Sequence, residues 1–170
     1  MAQKGKNKGN AEERKIAKML SEWFFGDQHV LKRSSDSGAL KTTYCGDVVP
    51  AKQLIDFWTY GWPFIVEIKT GYEKHMPTFY NTSTIMQWFN KAYKESQINN
   101  QNTILLITRF KYRKPLLLTN YYITSVPFNV LVPLYQNDQL IPTFVYHFYD
   151  ILEYRYEYIF DMNKIINNQI

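Results

Sequence analysis

One cysteine, Cys45, is all that this chain of 170 residues contains. That excludes an intramolecular disulfide and any zinc site built from several thiolates, and it fits a reducing cytosol. Long hydrophobic runs are missing as well. No stretch approaches the roughly 20 apolar residues that a bilayer crossing needs. Met1 to Gly9 is rich in lysine, glycine and asparagine and lacks the apolar centre of a signal peptide. A soluble, cytoplasmic protein with no membrane partner is expected. The three histidines, His29, His75 and His147, are scattered, and none stands in a metal-ligand spacing or beside a nucleophile. There is no glycine-rich phosphate loop of the NTPase kind and no internal repeat. What is present is a 45% hydrophobic composition, which excludes a disordered chain. The length fits one domain with a sizeable core. The formal net charge of +5 favours a polyanionic partner such as nucleic acid.

Residues 1–9 carry Lys4, Lys6 and Lys8 and read as a flexible basic arm, either a solvated tail or a phosphate-contacting one. A helix is predicted from Asn10, as N-cap, to about Phe25, with Glu13 at the third position of a capping box. Ile16, Met19, Leu20, Trp23 and Phe24 form its apolar stripe. At ~100° per residue, Glu13 lies within ~35° of the stripe's centre. It either caps the helix or leans inward. Val30-Leu31 reads as a short strand. The following loop offers Arg33, Ser35 and Ser37, flanked by Lys32 and Lys41. It could take a phosphate, although an ordinary turn has the same look.

Strands are predicted at Asp47–Val49 and Phe64–Lys69, with a short extra one at Leu54–Trp58. A helix is predicted from Thr82 to about Gln97. Thr103 to Thr108 is a continuous apolar run, the pattern of a strand buried on both faces. Leu116–Leu118 and Tyr121–Ile123 add strand, and Asn137-Asp138 reads as a turn between two more. This order of helix, strands, helix and strand gives an α/β core. The expected organisation is an arm (1–9), a core (10–125) and an aromatic-rich extension of the same domain (126–170). The extension holds Tyr135, Phe144, Tyr146, Phe148, Tyr149, Tyr154, Tyr156, Tyr158 and Phe160. These read as core packing or a subunit interface before they read as base-stacking platforms.

The chemistry is concentrated in Phe64-Ile65-Val66-Glu67-Ile68-Lys69. On a strand, Phe64, Val66 and Ile68 point one way, and Ile65, Glu67 and Lys69 the other. An acid and a base on an otherwise apolar strand must pair or hold a metal. Asp47, after Gly46, supplies a second carboxylate. Mg²⁺ takes oxygen ligands, usually one or two carboxylates completed by water and phosphate. Asp47 and Glu67 can act as those carboxylates, with the Ile68 backbone carbonyl as a third ligand. Lys69 then reaches the same side as Glu67, where it can orient or help deprotonate an attacking water or stabilise charge at phosphorus. Asp56, in Leu54-Ile55-Asp56-Phe57, rivals Asp47, and Asp36 is a weaker rival.

This set resembles the PD-(D/E)xK nuclease superfamily, with Asp47, Glu67 and Lys69 as the signature residues and Gly46-Asp47 replacing the literal Pro-Asp. Within it the chain is similar to Holliday junction resolvases of archaeal type and their bacteriophage relatives. The matching pieces are Gly9 to Arg14, Ser37-Gly38-Ala39, Gly46 to Pro50, Trp62 to Lys69, Trp88 with Ala92, and Ile104 to Ile107. They span roughly residues 9–120. The resemblance implies a restriction-endonuclease-like fold, a central mixed β-sheet flanked by helices. It implies Asp47 rather than Asp56 at the metal, and Glu13 as a helix-borne acid beside it. It implies Mg²⁺, with Mn²⁺ as substitute, and hydrolysis to a 5′-phosphate and a 3′-hydroxyl. The substrate would be a four-way DNA junction in a host cytoplasm. Lys4, Lys6, Lys8, Arg33, Ser35, Ser37 and Lys41 are the candidate phosphate contacts. Two symmetric cuts call for a two-fold homodimer, for which the aromatic segment is the candidate interface. The alternatives are another DNase of the superfamily (restriction-type or recombination-associated), a non-catalytic DNA-binding module, or an aromatic-rich interaction protein.

Overall fold

The computed structural model describes residues 2–34, 44–51, 62–70, 83–99, 101–110, 113–127, 130–136 and 139–166. Ser35, Asp36, Ser37, Lys41, the expected strand at Leu54–Trp58 with Asp56, and the turn Asn137-Asp138 lie outside them.

The chain opens with helix α1 (Ala2–Phe25), which starts eight residues before the expected cap. Asn10 therefore lies inside the helix, Glu13 belongs to no capping box, and the backbone of the expected arm is helical. Glycine and asparagine in a helix cost up to about 1 kcal/mol each. That is a tax on a helix already nucleated by its packed half, and no breaker such as proline stands in the way. Gly26 ends the helix in the left-handed region (φ 66°), and its N–H reaches back to the Glu22 carbonyl at 2.8 Å. The buried Ser21 hydroxyl accepts the N–H groups of Val30 (3.0 Å) and Leu31 (2.9 Å) and so turns the chain into the first strand.

Strands β1 (Leu31–Arg33) and β2 (Val48–Pro50) form an antiparallel ribbon. Then come β3 (Phe64–Thr70), α2 (Thr84–Asn99) and β4 (Thr103–Arg109), a crossover unit that places β3 and β4 parallel. Strands β5 (Leu116–Thr119), β6 (Val130–Gln136) and β7 (Gln139–His147) complete a mixed sheet in the order β3-β4-β5-β7-β6. The β6–β7 hairpin closes with Gln136 opposite Gln139. Three short helices follow: α3 (Phe148–Leu152), α4 (Tyr156–Ile159) and α5 (Met162–Ile166).

Every residue of β4 except Arg109 is buried, as expected for a strand covered on both faces. One face of the sheet packs Phe64, Val66, Ile68, Leu105 and Ile107 against Ile16, Leu20 and Phe24 of α1. The other packs Ile65, Ile104 and Leu106 against Ile85, Met86, Phe89 and Ala92 of α2. This is the mixed α/β architecture expected, a five-stranded sheet flanked by helices.

One strand expectation changes, and the core-packing reading of the aromatic segment holds. Tyr121–Ile123 is not a strand. Its backbone donors go to side chains instead: the Tyr146 hydroxyl accepts the Ile123 N–H at 2.9 Å and the Thr119 hydroxyl accepts the Tyr121 N–H at 3.1 Å. The aromatic segment, meanwhile, is spent largely within its own chain. Tyr146, Phe148 and Phe160 are fully buried in the α1-side core. Phe160 lies 5.1 Å from the Phe64 ring and 6.1 Å from that of Phe24, centroid to centroid. Among the described side chains of this set, only Tyr154 and Tyr158 are well exposed. Rings with such payloads of apolar area go first to the nearest core.

Candidate active site

Among the described residues, the outer edge of β3 has no neighbouring strand beyond a short approach of residues 45–47. Gly46 makes the approach possible. Its φ is +105°, and a Cβ built on it would stand 2.8 Å from the Val66 carbonyl oxygen, closer than any side chain allows. With the backbones this near, the Asp47 N–H donates to the Val66 carbonyl at 2.7 Å. On its far side the Asp47 carbonyl accepts the Ser34 N–H at 2.8 Å. Gln101, buried just before β4, holds the same segment through its amide. It accepts the Cys45 N–H at 2.6 Å and donates to the carbonyl of Phe64 at 2.6 Å. Its amide NH₂ also reaches the Cys45 carbonyl at 3.4 Å.

So fixed, the Asp47 side chain continues the ladder where the backbone stops. Its Oδ2 accepts the Ile68 N–H at 2.8 Å. N–H and C=O groups two residues apart on a strand face the same edge, so the Ile68 carbonyl opens beside the Asp47 carboxylate. Lys69 lies across both acids. Its Nζ is 2.6 Å from Glu67 Oε2 and 3.5 Å from Asp47 Oδ2. All three side chains are largely shielded from water, Asp47 at 10% exposure and Glu67 at 12%.

Burial pushes the Glu67 carboxyl above its usual range, and the charge of Asp47 adds to this, with Lys69 pulling back. For Lys69 burial works downward, but Glu67 and Asp47 more than offset it and hold the ammonium above its ordinary value. The cluster is thus two acids against one base, in a place where a carboxylate is reluctant to ionise. That imbalance, with oxygen donors alone, suits a hard divalent cation. Among the described residues no three Asp, Glu, His or Cys side chains converge on a metal position. A cation here would take Asp47, Glu67 and the Ile68 carbonyl and complete its shell with water or phosphate, as Mg²⁺ commonly does.

The other expected residues are placed differently. Glu13 is not gathered with Asp47 and Glu67. Its carboxylate is bonded to Arg33 Nε. Arg33 sits opposite Val48, next to Asp47, so this pair flanks the site one strand away. Arg33, expected on phosphate, is held by Glu13 for the same reason: each is the other's partly buried counter-charge. Lys4, Lys6 and Lys8 lie in the first turns of α1, and their side chains are outside the described set. Sequence reasoning missed Gln101, one polar residue in the run Asn99-Asn100-Gln101-Asn102. It also missed the ion pair of Arg109 with Glu12 at 2.6 Å. Cys45 borders the site, and burial, Glu95 and Glu67 in that order push its thiol up, away from the reactive thiolate.

A family model described as phage putative PDDEXK endonuclease matches residues 4–161. The chain belongs to this family. The match runs from the first turn of α1 to just before α5, so the aromatic C-terminal part falls inside the family's pattern. It also agrees with the PD-(D/E)xK nuclease type read from Asp47, Glu67 and Lys69. No curated protein and no solved structure matches the chain.

Proposed function

We propose that this endonuclease is a Mg²⁺-dependent Holliday junction resolvase that cuts DNA to leave a 5′-phosphate and a 3′-hydroxyl. The observation that carries the nuclease chemistry is Lys69 Nζ in contact with both Asp47 and Glu67 at the open edge of β3. A divalent ion bound there supplies Lewis acidity for the attacked phosphate and a more acidic water. The residues do the rest. Asp47, tethered through its own N–H and through Ile68, fixes the position at which the phosphate arrives. Glu67 provides charge that the scaffold leaves undercompensated until a cation joins it. Lys69 stays an ammonium between them, aligns the attacking water and stabilises the charge that grows on the phosphoryl oxygens. Glu13, one strand away on Arg33, assists from the helix side. Lys4, Lys6, Lys8, Ser35, Ser37 and Lys41 are proposed phosphate contacts. Mn²⁺ is expected to substitute for Mg²⁺, and the working compartment to be the cytoplasm of the host.

Junction selectivity rests on the resemblance to resolvases and requires two copies related by a two-fold axis. A specific observation favours a second reading, a duplex endonuclease of the same superfamily: Tyr146, Phe148 and Phe160, from the segment offered as a candidate two-fold interface, are buried in their own chain. One experiment separates the readings. A labelled four-way junction and a linear duplex of the same arms are incubated with Mg²⁺ or EDTA, with Glu67→Ala as control. Symmetric, metal-dependent nicks in the junction alone, lost in the variant, are the expected result. Equal cutting of both substrates would remove the resolvase and keep the nuclease. No cutting with any divalent ion would overturn both.

A further inference from the structure

The parallel strands β3 and β4 end side by side, Lys69 opposite Thr108 and Thr70 opposite Arg109. Just past that end the chain turns towards β5, which pairs back along β4 with Leu116 opposite Thr108. The turn holds Arg113, whose N–H closes on the Phe110 carbonyl at 3.2 Å, and Lys114. Both side chains are exposed, and neither has an ion-pair partner among the described residues. Arg109 is half-exposed at the same rim, its guanidinium steadied by Glu12. Two acids stand on elements packed here, Glu12 on α1 and Asp150 in α3. The first is already spent on Arg109, and α3 begins where the Phe148 N–H meets the Pro115 carbonyl. The opposite end of the sheet is different. There Gln101, Asn102 and Asn120 are neutral, and Asp161 carries the negative charge with only a loose partner in Lys164 at 3.9 Å.

We infer that the β4–β5 turn is a phosphate-tracking rim, in which Arg113 and Lys114 grip the DNA backbone beside the scissile phosphate. The inference rests on the reading of the chain as a DNA endonuclease. It adds a contact surface that the catalytic residues do not supply. Uncompensated cations at the end of the sheet that carries the site attract a polyanion to the right place. Unlike Lys69, they take no part in the chemistry.

The test is binding of a labelled duplex in EDTA across a salt series, by wild type and by the Arg113→Ala/Lys114→Ala protein. Each lost phosphate contact lowers the slope of log affinity against log salt by about 0.9, so a drop of about 1.8 is expected, with affinity roughly tenfold weaker at moderate salt. Turnover with Mg²⁺ at saturating DNA should be unchanged. The charge-keeping Arg113→Lys/Lys114→Arg protein should retain the slope, which separates charge from any local disturbance of the turn. If wild type binds and cuts while the double alanine protein shows the same slope and affinity, the rim is overturned and the nuclease stands. If wild type neither binds nor cuts, the nuclease reading falls and the rim with it.

Discussion

Strand β3 divides two buried regions that differ by one residue of register. Phe64, Val66 and Ile68 face α1 and meet aromatic rings; Glu67 and Lys69 face the other way at the sheet's open edge. In the first region every group has an apolar partner, and burial is repaid in contacts. In the second, burial raises the cost of the very charge that is placed there, and the shortfall is left for a ligand to make up. At this end of the strand, apolar packing lies on one side and function on the other.

Several substitutions sharpen that contrast. The largest effect is expected from Lys69→Ala and Glu67→Ala, each lowering cleavage by roughly 10³-fold while the thermal midpoint stays near that of wild type. A midpoint that collapses would place these residues with the core. Gly46→Ala should lose roughly 10²-fold in rate, because the new Cβ drives the Asp47 segment off Val66 by a fraction of its present spacing; single-turnover cleavage at saturating Mg²⁺ reads this directly. On the other side of the strand, Phe160→Ala should cost about 3–5 kcal/mol in denaturant unfolding. The protein that remains folded should cut at the wild-type rate. A rate loss beyond the folded fraction would mean that the two regions are coupled. Gln101→Ala should be milder in stability, about 1–3 kcal/mol for the carbonyl and N–H it leaves unpaired.

The smallest effect is the pH dependence of the metal-free protein. The folded state raises the Glu67 carboxyl, so folding binds this proton more tightly than the unfolded chain does. The corresponding stabilisation is present below the unfolded value of about 4.3 and is lost as pH rises through the folded one. Glu67→Gln should flatten that part of the midpoint-against-pH curve. Added Mg²⁺ should reverse its slope in wild type only. A curve unchanged by the substitution would show that Glu67 titrates as an exposed acid does.

Much of this could be read from residues alone. The alternation in Phe64–Lys69 put Glu67 and Lys69 on one face. The unbroken run at Ile104–Ile107 announced a strand covered twice. The stripe Ile16, Leu20 and Phe24 placed α1 on the sheet. Other features depended on distant partners. Asn10 looked like a cap because asparagine is a good N-cap and Glu13 stands three residues on, but a helix anchored by its second half extends through Gly9 and Asn10. Tyr121–Ile123 had strand composition, yet the hydroxyls of Thr119 and Tyr146 took the N–H groups of Tyr121 and Ile123 that a ladder would have used. Glu13 had the right position on its helix, and Arg33, twenty residues on, claimed it.

The order of elements, the face that each strand presents and the identity of the acid–base pair on β3 are local properties, set by side-chain alternation with a period of two and by helical spacing. They were determined by the sequence itself. How Asp47 is brought to that pair was decided by tertiary structure. Asp47 arrives because Gly46 lets two backbones meet at Val66 and because Gln101, 54 positions after Asp47, clamps the segment from below. Close approach between distant segments depends on what the rest of the chain leaves open, and no local pattern records it.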